Sequence, residues 1–146
     1  MTFKPKRRTR RRAKSRSGAV IAEFAIILPV FLLAIIGIIE FGRAVMVQQI
    51  CVNAAREGAR RAIIPGATDA DVLDLVDNYL VGGTLGAPSR TVQILNAAGD
   101  EASLDDIASH DVVMVRVAVP YDEVGVGISS WFADVILGAV VQMRRE

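Results

Sequence analysis

A single histidine, His110, a single cysteine, Cys51, and four closely spaced aspartates, Asp69, Asp71, Asp74 and Asp77, are the residues of this 146-residue chain whose types invite a chemical role. None of them completes a site. A metal centre needs three or four convergent His, Cys or carboxylate ligands, and no such spacing occurs. The aspartate series lacks the glycine and the terminal glutamate of a calcium loop. His110 precedes an apolar run beside Asp111, with no nucleophile to activate, and reads as a surface-loop residue. Cys51 alone builds no intrachain disulfide; it reads as a small apolar residue on a helix face, with an intermolecular disulfide as the alternative. No glycine-rich phosphate loop is present. The expectation is a protein with no catalytic residues, no metal, no cofactor and no small-molecule substrate: a building block, not an enzyme.

The informative charges lie near the N-terminus. From Ala19 to Ile39 only Glu23 is charged. These residues suffice to cross a hydrocarbon layer of roughly 30 Å at about 1.5 Å per helical residue, which predicts one transmembrane helix. A carboxylate inside hydrocarbon is costly unless neutralised or paired. No base stands near Glu23 on the apolar side, since Arg16 is seven positions back and Arg43 twenty positions on. A cut between Gly18 and Ala19 would create a partner, because Ala19 would then carry an α-ammonium four residues before Glu23. Glu40, where the span ends, reads as an interfacial acid paired with Arg43 one helical turn away.

The formal net charge of +1 conceals a partition. Residues 1–18 hold nine bases and no acid, among them Arg10, Arg11, Arg12, Lys14 and Arg16, which leaves eight bases against all 16 acids in the remainder. A basic block directly before an apolar span is retained on the cytoplasmic side, so the topology is single-pass with the N-terminus inside and the C-terminus outside. Nucleic-acid binding is the weaker account of such a run, because its position beside the span explains it as a topogenic signal.

The elements that position these residues follow from periodicity. Beyond Arg43 the helix continues as an amphipathic segment, with Val47, Ile50, Cys51, Ala54, Gly58 and Ala62 recurring at three- and four-residue steps. Its stripe of small residues permits close packing. Pro29 removes one ladder hydrogen bond and predicts a kink. Pro65 and Gly66 stop this helix near Ile64; Thr68 with Asp71 then opens a second one, whose buried face is Val72, Leu75, Val76, Tyr79 and Leu80 and which Gly82 and Gly83 close. Three β-rich runs follow, over 90–95, 111–121 and 135–145. Residues 128–132, between the last two, read as a segment resting on the membrane or a partner. The fold class is therefore α+β: a long N-terminal transmembrane helix extending into a small domain with one short helix and a three- to four-stranded antiparallel sheet, the helices packed on one face. The expected organisation is a basic leader at 1–18, the helix at 19–64 and an extracytoplasmic α+β domain at 65–146.

Gly18, Ala19, Val20, Ile21, Ala22, Glu23 and Phe24 form a basic leader's terminal glycine, a short apolar stretch, glutamate fifth after that glycine and an aromatic sixth. This resembles the prepilin peptidase site of type IV pilins of the Flp, or tight-adherence, branch. The continuation through Pro29, Glu40, Phe41 and Gly42 to "NAAREGARRA" resembles the TadE-like family over residues 16–62, and the closing "VVQMRRE" looks like that family's usual end. The resemblance implies cleavage after Gly18 by a membrane-embedded aspartyl peptidase. It also implies a mature helix that packs with other pilins or pseudopilins and with the tight-adherence assembly platform at the bacterial inner membrane, either within that membrane or incorporated in the pilus. Phe24, where major Flp pilins usually carry tyrosine, and the long C-terminal region point to a minor pilin or pseudopilin. An uncleaved single-pass membrane protein with an extracytoplasmic binding domain is the alternative.

Overall fold

The computed structural model describes residues 17–83, 89–124 and 135–145. The leader residues Arg10, Arg11, Arg12, Lys14 and Arg16, and the apolar segment 128–132, lie outside them. The described elements run in the order α1 (Ser17–Ala62), α2 (Asp69–Gly83), β1 (Thr91–Leu95), β2 (Val112–Pro120) and β3 (Ile136–Arg144), with short 3-10 turns at Leu104–Asp106 and Tyr121–Glu123. Helical structure is continuous through Pro29. Contacts divide the chain into two compact units, Met1–Gly37 and Ile38–Glu146.

In the second unit, β2 is the central strand of an antiparallel sheet ordered β1-β2-β3. Thr91 pairs with Ala118 on one side, and Ala118 with Gly138 on the other. Strict alternation makes this strand two-faced. Val113, Val115, Val117 and Val119 are fully buried, while Arg116 between them is exposed. The valine face is covered by both helices, as expected. Val47, Cys51, Ala54, Ala55, Ala59 and Ala62 of α1 and Val72, Val76 and Leu80 of α2 share one core with it.

Gly58 is a point of close approach in that packing. A Cβ built there would lie 2.5 Å from Val76 Cγ2 and 3.2 Å from Val115 Cγ1, so α1 meets α2 and β2 only because the side chain is missing. The fully buried residues of α2 are the i, i+4 row Val72, Val76 and Leu80. Tyr79, expected on the buried face, lies on the flank of that row and is 42% exposed, and Leu75 beside it is only half-buried.

The start of α2 is fixed by a reciprocal cap. Asp71 N–H donates to Thr68 Oγ1 (3.2 Å), and Thr68 N–H donates to Asp71 Oδ2 (3.1 Å). Arg61 of α1 donates to the same carboxylate oxygen at 3.0 Å. Near the same place, where Leu104 N–H donates to Asp69 of α2, Arg145 donates to the carbonyls of Leu104 and Ile107. The main chain of β3 is joined there to the turn before β2, with His110 N–H donating to Arg145 O at 2.8 Å. His110 adopts φ 75°, a left-handed conformation that histidine tolerates better than most residues. It is an exposed turn residue, as expected.

Candidate functional site

The residues singled out for processing all fall in the first turns of α1. Gly18, Ala19 and Glu23 are exposed, as is Phe24. Ala19 and Glu23 stand four residues apart on a regular helix, and so share one face about one turn apart. A Cβ added at Gly18 meets nothing within 4 Å, so no packing contact requires a glycine there. α1 is the one helix, among the described residues, long and apolar enough to cross a membrane.

Glu40 departs from the expectation of an interfacial acid. It is 4% exposed, and Tyr121 Oη donates to its Oε2 at 2.6 Å and to its backbone carbonyl at 3.2 Å. Burial, reinforced by the neighbouring carboxylate, pushes the Tyr121 phenol up to about 12. One turn further along α1, Arg43 Nε donates to the carbonyl of Val124. The turn Tyr121–Glu123 is thus held on α1 from both ends, at the point where the apolar run finishes. A buried acid requires a donor; neither the burial of Glu40 nor its donor, 81 positions away, was readable in the sequence.

A second clip joins α1 to the sheet. Gln48 Nε2 donates to Gly138 O at 2.7 Å, and Gly138 N–H donates to Gln48 Oε1 at 3.2 Å. The side-chain amide imitates a neighbouring strand for one residue of β3, a way to occupy an otherwise open sheet edge. Gly138 itself lies tight against β2, since a Cβ there would come 2.5 Å from Val117 O.

Chemically reactive groups are not gathered. Among the described residues no group of three or more His, Cys, Asp or Glu side chains is placed to hold a metal ion. Burial raises the Cys51 thiol above its ordinary value and shuts it inside the core, which disfavours the intermolecular disulfide. Asp69, from the aspartate series, caps structure instead of binding an ion: its carboxylate accepts from Ser103 Oγ (2.7 Å) and Leu104 N–H (2.8 Å). Asp77 pairs with Arg90, whose guanidinium holds the carboxyl below its usual range. What the described residues offer is, in the first unit, an exposed apolar helical surface with a candidate cleavage motif at its start and, in the second, a folded domain that includes the last turns of α1.

No curated protein and no solved structure matches the chain. Residues 18–60 match the family model described as TadE-like protein, which bears out over α1 the resemblance read from the sequence.

Proposed function

We propose that this protein is a membrane-anchored minor pilin or pseudopilin that takes part in assembling a tight-adherence, Flp-type pilus and is matured by prepilin peptidase cleavage after Gly18. The observation that carries the reading is the coincidence, at one place, of the Gly18–Glu23–Phe24 motif, the first turn of α1 and the start of the TadE-like match. The basic leader then serves to orient the chain and is discarded, and Glu23 receives the new α-ammonium of Ala19 within one subunit or between neighbours. Pro29 is the point at which the mature helix bends. The partners are the peptidase, other pilins or pseudopilins and the assembly platform at the bacterial inner membrane; no enzymatic turnover is part of the role.

The test is to express the chain with and without an active prepilin peptidase and determine the N-terminus of the membrane product. A start at Ala19 that is lost in Gly18→Ala is expected. Because a Cβ at Gly18 meets nothing within 4 Å, that substitution removes the recognition feature without a clash among the described residues. An intact leader in membranes containing active peptidase would sink the reading and favour the uncleaved anchor.

A further inference from the structure

β2 is paired on both sides, so the sheet has two edges, one on β1 and one on β3. The β1 edge is occupied at Ile94, whose carbonyl accepts from Ala102 N–H at 3.1 Å. On β3 the odd-numbered residues turn their main chain towards β2: Val135 O accepts from Tyr121 N–H, and Arg145 exchanges main-chain bonds with His110 and Asp111. The even-numbered residues therefore turn theirs outward. Gly138 is one of these, and Gln48 occupies it. Val140, Gln142 and Arg144 carry the same outward groups, are exposed, and meet no main-chain partner on that side among the described residues. From Ile136 to Met143 the strand has no charge, proline or bulge of the kind that blunts an edge.

We infer that this open stretch of β3, residues 140–144, takes up an extended segment of another protein as a further strand of the sheet, and that the segment alternates apolar and acidic residues. The two faces of the edge dictate the alternation. Val141 and Met143 belong to the helix-covered face and are half-buried, so apolar residues set beside them complete their cover. The opposite face carries Arg144 on the edge itself and Arg116 one strand in, directly across from Val140. Both arginines are exposed, and neither forms an ion pair among the described residues; Arg144 donates through Nε to the His110 carbonyl. Strands lie about 4.8 Å apart, so carboxylates on an added strand stand within reach of both guanidinium groups. The same arginines disfavour a second copy of this chain as the occupant. Antiparallel self-pairing centred on Gln142 sets each Arg144 opposite the Val140 of the other copy, and so beside the Arg116 of that copy, a row of like charge. Self-pairing centred on Val140 needs the outward main chain of Gly138, which Gln48 already holds. All of these residues belong to the second unit, Ile38–Glu146.

The test titrates the isotopically labelled full chain, in zwitterionic detergent micelles, with a capped seven-residue peptide alternating valine and glutamate, and with its counterpart alternating valine and lysine. The acidic peptide is expected to shift the Val140 and Gln142 amide signals, to slow their hydrogen exchange while the Gly138 amide changes little, and to bind about tenfold tighter than the lysine peptide. Arg116→Gln and Arg144→Gln are each expected to weaken it about two- to fivefold, the range of an exposed ion pair, with the β1 amide signals in place to verify the fold. Methylating the peptide nitrogens of one alternate set is expected to abolish binding and of the other set to spare it, which tests main-chain pairing without altering the protein. Equal binding of the two peptides overturns the acidic partner, and equal tolerance of both methylation patterns overturns strand addition. No binding of the acidic peptide overturns the inference as a whole. So does protection of the Val140 and Gln142 amides before any peptide is added, which with a dimeric chain would identify a second copy as the occupant.

Discussion

Gly58→Ala is the sharpest probe of the packing on which the domain depends. The added Cβ would stand 2.5 Å from Val76 Cγ2 and 3.2 Å from Val115 Cγ1, where ordinary carbon contacts are about 3.5–4.0 Å. Neither neighbour can step aside. Both are β-branched, stiff at χ1 and fully buried. Overpacking of this kind costs about 1–3 kcal/mol, and replacing a helical glycine by alanine returns about 1 kcal/mol. A contact as short as 2.5 Å belongs to the upper part of that range, about 2–3 kcal/mol, so the expected net loss is about 1–2 kcal/mol, which multiplies the open population by about 5–30. Cys51, buried in the same core, supplies the assay. Its labelling by a thiol reagent, with the full chain in detergent micelles and reclosing fast, tracks the opening equilibrium. The same substitution in a Val76→Ala background should be neutral or protective, because the added methyl then fills space that the valine methyls have vacated. Equal acceleration in both backgrounds, or none in the wild type, would refute the close approach at Val76.

Other outcomes follow from the clips and caps. The Tyr121 phenol is raised to about 12, so the stability it contributes is present below the ordinary phenol value near 10 and is lost as pH rises towards 12. Phenolate absorbance should show a late step coincident with unfolding that Tyr121→Phe removes. Asp71 is lowered chiefly by the Thr68 backbone hydrogen bond and Asp77 by Arg90, so both stabilise above the ordinary carboxylate value near 4 and that contribution fades on acidification. Denaturant midpoints should fall below about pH 4. Thr68→Ala should cost about 1 kcal/mol by the same denaturant measurement, a loss of cap that Thr68→Ser should largely spare. Gln48→Leu keeps the bulk but leaves the outward main chain of Gly138 without its amide; faster hydrogen exchange at the Gly138 N–H, with β2 amides unaffected, is the expected signature.

Local features of the fold were legible in the sequence, and those set by distant pairing were not. The strands over 91–95, 112–120 and 136–144 lie within a residue of the runs rich in β-branched residues, because that composition is a property of each strand alone. Thr68 and Asp71 are three positions apart and declared the cap of α2. The same local logic misplaced Glu40. Its nearest base in sequence is Arg43, so a pair at the interface was the economical expectation, whereas the fold brings Tyr121 from 81 positions away. Tyr79 failed differently: helical periodicity allots it to the apolar face of α2, but it lies on the flank of the row Val72, Val76 and Leu80 that the core takes up. In the candidate processing segment, the Gly18, Glu23 and Phe24 motif is carried by consecutive residues of one helix and needed no folding to be seen.

The shared core of α1 and the sheet alters where this protein can be divided. A boundary drawn at Pro65, where the helix visibly ends, would strip from the β2 valines the wall made by Val47, Cys51, Ala54, Ala55, Ala59 and Ala62. A secretable version of the domain must therefore begin no later than Glu40 and carry its own piece of helix. The same dependence orders its biogenesis. The wall precedes the sheet along the chain, while β3, which flanks the central strand, follows β2, so the domain can close on its helix only once β3 has been made.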